Sequence, residues 1–316
     1  MSAIAQVQEP KVQEAHEIAF KHILVATDFS PASDRALQHA LAIGARYDAA
    51  ISVLHANSPQ PHEPIPMDPM PRELDRQLLS SEREMQRLEL EVEQKNLAHR
   101  IRIERGPVWD VLSSVIEQDH PDLLVLGTHG RGGLEKLVLG SVAEQVLRLA
   151  PCPVLTVGPK SPAPQSYPAN FKCILFATDF GPESVKAFPY AQVLAENCGA
   201  KLIVLHAVVP LTASAYYPAD YAPTDLAEYE NRIRQQTLQK LEDTFPAAPH
   251  HSRRPEYVVA TGFPADGILE AAAMRKADLL VLGAGDTWSA RVTAHLPGLI
   301  HEVLCQAACP VLTVKN

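Results

Sequence analysis

The chain has 316 residues, of which 46% are hydrophobic and 21% charged, with a formal net charge of −9. This length is enough for two domains with complete cores, and the negative charge argues against a broad nucleic-acid-binding surface. No apolar run approaches the roughly 18 residues needed to span a bilayer. The first twenty residues contain several acids and lack an apolar core, so we expect a flexible leader and not a signal peptide.

The cysteines indicate a reducing compartment. There are five of them, at scattered positions, and an odd number with irregular spacing does not suit a disulfide framework. We therefore expect a cytoplasmic protein. No cysteine or histidine spacing completes a zinc pattern, so no metal is expected to be bound directly by side chains.

Four blocks of sequence occur twice, in the same order. The first is K-H-I-L-V-A-T-D-F at 21–29, which recurs as K-C-I-L-F-A-T-D-F at 172–180. The others are V-L-H-A at 53–56 and 204–207, D-L-L-V-L-G at 122–127 and 278–283, and C-P-V-L-T-V at 152–157 and 309–314. The period is too long for a solenoid, so each copy should be a whole domain. The predicted organisation is a leader, an N-terminal domain, a Pro- and Ser-rich linker and a C-terminal domain, at 1–20, 21–158, 159–170 and 171–316.

Within the first copy, short apolar strands alternate with helices. The predicted strands are 23–26, 50–56, 100–104, 123–126 and 154–157, and the predicted helices begin near Ser30-Pro31, Arg72, Pro107 and Ser141. Such alternation implies a parallel sheet covered on both faces, and the fold class is α/β. We expect two tandem doubly wound domains, flavodoxin- or Rossmann-like, each with a five-stranded parallel sheet. A ligand then lies at the carboxyl ends of the strands, at the topological switch point.

A glycine-rich segment after the fourth strand is the first candidate site. Gly127 ends the strand, Gly130 follows, and the pair Gly140-Ser141 opens a helix. A strand that leads through such a loop into a helix N-terminus is a geometry that binds phosphate, because free N–H groups converge there. Arg131 and Lys136 would neutralise phosphate charge, and His129 is a further donor. Ser141 has an alternative explanation, because with Glu144 it forms an S-x-x-E capping box.

These residues resemble the universal stress protein family. The spacing from Gly127 to Ser141 is similar to that family's nucleotide-binding signature, and segments 23–30 and 152–157 look like its first and closing strands. The resemblance covers both copies and implies an adenine nucleotide alpha hydrolase-like fold that binds ATP with Mg or Mn. The implied binding residues are Ala26, Thr27, Asp28, Ala56, Gly127, His129, Gly130, Arg131, Gly140, Ser141, Val142 and Ala143.

Three other features have two readings each. Asp28 lies at the expected crevice, where it would contact ribose or a metal-bound water, or else would hold its own turn as an Asx residue. His55 recurs as His206, which favours a packing role over a ligand role. The charged stretch 72–100 is typical of a solvated helix face, or of a cover over the crevice.

The second copy departs from the pattern at the phosphate loop. Asp286 replaces Gly130, and Pro297-Gly298 replaces the Gly140-Ser141 pair after a one-residue insertion. An aspartate repels phosphate and a proline removes an N–H donor, so we expect this domain not to bind ATP in the same way. Trp288, Tyr216 and Tyr217 either fill this crevice or line a pocket for another ligand.

The predicted function is that of an ATP-binding regulator of the stress response, with one competent site in the N-terminal domain. Catalysis is expected to be absent or limited to weak ATP hydrolysis, since no residue pair is arranged for phosphoryl transfer. The alternatives are a slow ATPase and a nucleotide-independent scaffold whose C-terminal domain binds another ligand or partner. The resemblance also implies that the two closing strands pair within the chain, and it leaves room for a homodimer of tandem chains.

Overall fold

The computed structural model describes residues 18–58, 71–128, 139–209, 226–247, 253–285 and 298–315. These residues form two compact units. The first contains residues 19–171 together with 286–313, and the second contains residues 172–285 with the end of the chain.

The first copy alternates strands and helices as predicted. Its elements are β1 (His22–Ala26), α1 (Pro31–Tyr47), β2 (Ala50–Asn57), α2 (Pro71–Glu93), β3 (His99–Arg105), α3 (Val108–Asp119), β4 (Leu123–Gly127), α4 (Ser141–Leu149) and β5 (Val154–Val157). The strand bounds and helix starts differ from the predicted ones by one residue at most.

The second copy repeats this order. Its elements are β6 (Cys173–Ala177), α5 (Pro182–Cys198), β7 (Lys201–Val208), α6 (Leu226–Thr244), β8 (Glu256–Thr261), α7 (Pro264–Arg275), β9 (Leu279–Gly283), α8 (Leu299–Gln306) and β10 (Val311–Val314). None of the helices in the described ranges is both long and apolar enough to cross a membrane.

The first unit contains a doubly wound parallel sheet. Its strand order is β3-β2-β1-β4-β5, with neighbouring strands parallel. The order in which strands are added to the sheet reverses between β1 and β4. β2 and β3 lie on one side of β1, whereas β4 and β5 lie on its other side. Ile23, Leu24 and Val25 of β1 are fully buried, as expected for a central strand covered on both faces. The predicted fold class is confirmed.

The last strand of the chain completes this sheet. β10 pairs antiparallel with β5, and Leu312 lies opposite Leu155. The Thr156 hydroxyl donates to the Val311 carbonyl at 3.2 Å, and Thr313 donates to Val154 at 3.1 Å. The predicted pairing of the two closing strands within one chain is therefore present.

The segment between the two copies packs against α1. The N–H of Ala169 donates to the Ala42 carbonyl at 2.7 Å, and Arg46 donates to the Ala169 carbonyl. Further along the helix, His39 Nε2 donates to the Pro162 carbonyl at 2.9 Å. The predicted linker is thus held along one helix. Phe20, the last residue of the predicted leader, is also buried in this unit.

Helix α2 has two faces. Most of its described outward residues are charged or polar, as the solvated-face reading predicted, although Leu79 and Leu90 are also exposed. Met85, Leu88 and Val92 are buried. Arg87 forms an ion pair with Asp34 of α1 at 3.0 Å. Helix α2 is therefore part of the core layer that covers the sheet.

The repeated aspartate of D-L-L-V-L-G has a structural role in both copies. A carboxylate oxygen of Asp122 accepts from the N–H groups of Lys21 and His22 at 2.8 and 2.9 Å. Asp278 accepts in the same way from the start of β6. These bonds fix neighbouring strands at their amino ends, opposite the edge where a ligand is expected.

The second unit contains the parallel order β9-β6-β7-β8. Three phenylalanines that are fully buried, Phe176, Phe188 and Phe245, form its aromatic core with ring centroids 5.0 to 5.3 Å apart. The N–H of Ala284, just after β9, donates to the Val314 carbonyl at 2.8 Å.

None of the five cysteines forms a disulfide. Burial raises the pKa of the Cys152 thiol to about 11, so this thiol is protonated at neutral pH. Cys173, Cys305 and Cys309 are buried and pack as small apolar residues.

Candidate functional site

The candidate site lies at the carboxyl edge of the first sheet, at its switch point. Ala26, the last residue of β1, is in register with Leu54 of β2 and Leu126 of β4. Five of the predicted binding residues lie at these positions or just after them, at one edge of the sheet: Ala26, Thr27, Asp28, Ala56 and Gly127. This is where doubly wound sheets bind ligands.

The turn from β1 into α1 is held by its own polar side chains. Phe29 adopts the left-handed region with φ of 61°. The Thr27 hydroxyl accepts from the Phe29 N–H at 3.1 Å and donates to the Ser33 hydroxyl at 3.2 Å. Ser30 is the N-cap of α1 and accepts from the Ser33 N–H, with Pro31 at the first helical position, as predicted. The edge is thus a rigid surface.

Asp28 takes part in this turn. One of its carboxylate oxygens accepts from the N–H of Ser30 at 3.0 Å, which is the Asx arrangement named as the alternative to a ligand role. The residue is partly exposed at the crevice edge. Contact of Asp28 with ribose or with a metal-bound water stays a prediction.

His55 supports the turn from below. It is 8% exposed, and its Nδ1 lies 2.8 Å from the Thr27 carbonyl, which can only accept. The imidazole also lies against the Phe29 ring, with centroids 4.3 Å apart. In the second copy His206 contacts the Thr178 carbonyl and the ring of the corresponding phenylalanine in the same way. The geometry supports the packing reading for both histidines.

Gly127 is required by packing against α1. A Cβ at this position would lie 2.9 Å from the Ala32 backbone and Cβ and from the Ser33 nitrogen. Gly283, its counterpart, faces the backbone of α5 even more closely, at 2.4 Å. The recurrence of this glycine therefore has a structural explanation, and its contact with a ligand stays a prediction.

Thr128 and Gly140 close the base of the glycine-rich loop. The Gly140 N–H donates to the Thr128 carbonyl at 2.8 Å, and the Thr128 N–H donates to Val157 of β5 at 3.1 Å. Thr128 and Leu139 are 1% and 3% exposed, so both ends of the loop are anchored in the core. Sequence reasoning missed Thr128; its position directly after β4 was the available signal.

The first turn of α4 presents its N–H groups to this edge. Gly140 is the N-cap, and among the described residues no side chain caps the helix. The capping box that was the alternative explanation of Ser141 is not formed, because Ser141 is already the first helical residue and its side chain is exposed. The first N–H groups of a helix, here those of Ser141, Val142 and Ala143, have no partner inside it. They remain available for an anion.

Several predicted residues lie outside the described ranges. In the first copy these are His129, Gly130, Arg131 and Lys136, and in the second copy Asp286, Trp288, Pro297, Tyr216 and Tyr217. Gly298 is the N-cap of α8, as Gly140 is of α4, so the predicted match of Gly140 with Pro297 is wrong and Gly298 is its counterpart. The surroundings of the two glycines still differ. A Cβ on Gly140 would lie 3.1 Å from the Thr128 carbonyl, whereas one on Gly298 meets no described atom within 4 Å.

One group of side chains in the described ranges combines three potential metal ligands. Glu89, Glu93 and His99 bring one ligand atom each to within 4.8 Å of one another. His99 begins β3, so this group lies at the amino edge of the sheet, away from the switch-point crevice. A metal at the crevice would instead rely on Asp28 through water, together with the ligand's own oxygens.

The family assignment follows from comparison with known proteins. A family model described as "Universal stress protein family" matches residues 19–158 and again residues 170–315. The chain belongs to the universal stress protein family. The match covers both copies, so this universal stress protein is a tandem of two family domains, as the sequence blocks predicted.

Curated relatives match one domain at a time. "Universal stress protein A homolog 1" of Coxiella burnetii is 35% identical over 143 residues, which cover 44% of this chain and 96% of the relative. "Universal stress protein MJ0531" of Methanocaldococcus jannaschii is 32% identical over 143 residues, covering 45% and 84%. A crystal structure of a universal stress protein from Archaeoglobus fulgidus matches 93% of this chain and 98% of its own with a TM-score of 0.64 and 17% identity. That likeness supports the tandem fold.

Proposed function

We propose that this protein binds ATP in its N-terminal domain and acts as a nucleotide-dependent regulator of the stress response. The observation that carries the proposal is the start of α4. Its first turn has N–H groups without a side-chain cap among the described residues, and it begins beside the carbonyl that closes the glycine-rich loop. A helix N-terminus of this kind stabilises phosphate through N–H donors and the helix dipole.

The proposed ligand runs along the carboxyl edge of the sheet. The phosphates contact the N–H groups of Ser141, Val142 and Ala143, with Gly140 giving close approach. His129, Gly130 and Arg131 in the intervening loop complete the phosphate contacts. Ala26, Thr27, Asp28 and Ala56 lie along adenine and ribose, with Gly127 between the two halves.

A divalent cation, Mg or Mn, accompanies the triphosphate in this proposal. The site offers carboxylate oxygens at Asp28, which is compatible with contact through a metal-bound water. The cation would neutralise phosphate charge, while the chain's own groups orient the nucleotide. His55 does not serve as a base here, because it is buried and its Nδ1 is bonded to the Thr27 carbonyl.

The proposal further includes a cytoplasmic location, a protein partner that reads the nucleotide state, and a dimer of tandem chains. The negative net charge favours neither nucleic acid nor an acidic membrane surface as the partner. Each of these assignments is tested separately from ATP binding, by fractionation, by affinity capture with and without ATP, and by light scattering.

The decisive experiment measures the nucleotide that the purified protein releases on denaturation. We expect ATP from the wild type and at least tenfold less from Gly140→Glu, because the new carboxylate lies at the helix start. Gly298→Glu is the matched control, since no atom of the described residues lies within 4 Å of a Cβ at that position, and it should release as much ATP as the wild type. Equal release by all three chains contradicts the proposal and favours a nucleotide-independent scaffold. Turnover of ATP well above about one per minute identifies a slow ATPase instead.

A further inference from the structure

The two copies differ at the second residue of the helix that follows the first strand. The first copy reads Pro31-Ala32-Ser33 and the second reads Pro182-Glu183-Ser184. Both helices begin at the proline. A methyl group in the N-terminal domain is therefore replaced by a carboxylate at the same place in the C-terminal domain.

The Glu183 side chain lies against the backbone that leaves β9. A Cβ placed on Gly285 would lie 2.8 Å from Cδ of Glu183 and 3.0 Å from its Oε1. Gly285 is two residues beyond Gly283, as His129 is two residues beyond Gly127. The carboxylate therefore occupies the entrance to the segment that corresponds to the phosphate loop of the first copy.

This position suits an anion. Glu183 belongs to the first turn of α5, where the helix dipole stabilises negative charge. The neighbouring turn holds a second carboxylate, since Asp179 accepts from the Gly181 N–H at 2.8 Å and from the Ser184 hydroxyl at 2.7 Å. Asp179 corresponds to Asp28 and is common to both copies, so Glu183 is the negative charge that an approaching phosphate would meet only in the second copy.

We propose that the Glu183 carboxylate is a built-in anion that closes the C-terminal crevice to nucleotides. Glu183 thus adds to the difference expected from Asp286 and Pro297, and it leaves the C-terminal crevice to neutral or cationic ligands. The comparison of the two copies rests on the proposed ATP site of the N-terminal domain. The exclusion itself is a property of the C-terminal domain and is tested there.

The test uses the full chain with Gly140→Glu, which blocks the N-terminal site. Mg-ATP binding is measured by saturation-transfer NMR on this chain, on the same chain with Glu183→Ala, and on the same chain with Glu183→Gln. We expect Glu183→Ala to gain ATP binding at least tenfold above the background chain. Glu183→Gln should gain part of it, because it removes the charge and keeps the bulk. If the three chains are indistinguishable, the inference is wrong.

The reciprocal change places the anion in the N-terminal domain. Ala32→Glu in the otherwise wild-type chain should lose retained ATP, and Ala32→Gln should retain more than Ala32→Glu. If Ala32→Glu and Ala32→Gln retain the same amount of ATP, any effect comes from the size of the side chain, which contradicts the role of charge. A wild-type chain that retains no ATP overturns the proposed function. The Glu183 test stays valid in that case, because the Glu183→Ala and Glu183→Gln chains are compared with the Gly140→Glu chain.

Discussion

The Gly140 N–H and the Thr128 carbonyl, 2.8 Å apart, join the two ends of the glycine-rich segment. A Cβ on Gly140 would lie 3.1 Å from that carbonyl oxygen, so even alanine requires a shift of a few tenths of an ångström. We expect Gly140→Ala to weaken ATP binding about three- to tenfold, which corresponds to about 0.6–1.4 kcal/mol. Isothermal titration against Gly298→Ala, which should bind as the wild type does, measures the effect. A Gly140→Ala chain with wild-type affinity contradicts the assignment.

Ser141 and Ser30 offer a matched pair of substitutions. Ser141 does not cap its helix, whereas the Ser30 hydroxyl accepts from the Ser33 N–H. Ser141→Ala should therefore change the free energy of unfolding by less than about 0.5 kcal/mol. It should lower ATP affinity through loss of the exposed hydroxyl, which we expect to be a further donor to phosphate beside the backbone N–H. Ser30→Ala should cost about 1 kcal/mol of stability through loss of the cap. Urea denaturation and ATP titration on both variants separate these effects; a large loss of stability in Ser141→Ala would restore the capping explanation.

His55→Phe tests the packing role of the buried imidazole. The substitution keeps a ring beside Phe29 but leaves the buried Thr27 carbonyl without its donor. We expect a loss of about 1–3 kcal/mol in the free energy of unfolding. His206→Phe, at a less buried position in the second copy, should cost less. An unchanged unfolding free energy in His55→Phe, together with lost ATP binding, would instead indicate a ligand role.

His39 predicts a pH dependence of stability. Burial lowers the pKa of His39 below its ordinary value, and the charge of Arg35 acts in the same direction. The unfolded chain binds more protons than the folded chain once the pH falls below about 6.5. The stability contributed by neutral His39 is thus present above that pH and is lost as the pH falls through the folded pKa.

We expect thermal unfolding curves between pH 7 and pH 5 to show this loss in the wild type and a shallower loss in His39→Gln, which retains an N–H donor. His120→Asn, at the exposed left-handed C-cap of α3, is the control and should follow the wild type. If His39→Gln and the wild type lose the same thermal stability between pH 7 and pH 5, His39 is not the source of the loss.

A chain that ends at residue 171 should self-associate. It lacks β10, so the backbone groups of β5 at the edge of the first sheet lose their antiparallel partner. Exposed strand edges pair with other chains. Size-exclusion chromatography with light scattering should show dimers or larger species that grow with concentration. A strictly monomeric product over a hundredfold concentration range would contradict this expectation.

The sequence was most informative where local patterns and repeats agree. Strand ends at Ala26 and Gly127 follow from apolar runs, and the cap at Ser30 follows from a serine before a proline. The role of Ser141 could not be read from the same rule, because S-x-x-E describes a cap only if the helix begins one residue later. Tertiary contact decides this: the bond from Gly140 to Thr128 places the N-cap at the glycine.

Contacts between distant segments were beyond local patterns. Gly127 is a predicted ligand residue, and the fold shows that it also makes room for Ala32 of α1, a residue 95 positions earlier in the sequence. No local pattern marks Glu183, since only the fold brings its carboxylate to Gly285. Residues whose neighbours come from other elements need the three-dimensional arrangement to be interpreted.

The pairing of β5 with β10 does not depend on the concentration of the protein. Both strands belong to one polypeptide, so their association is unimolecular and its effective concentration is set by the connecting chain and not by the amount of protein. Dilution therefore cannot separate them. The stoichiometry of the two family domains is likewise fixed at one to one at every expression level, which two separately encoded domains could not guarantee.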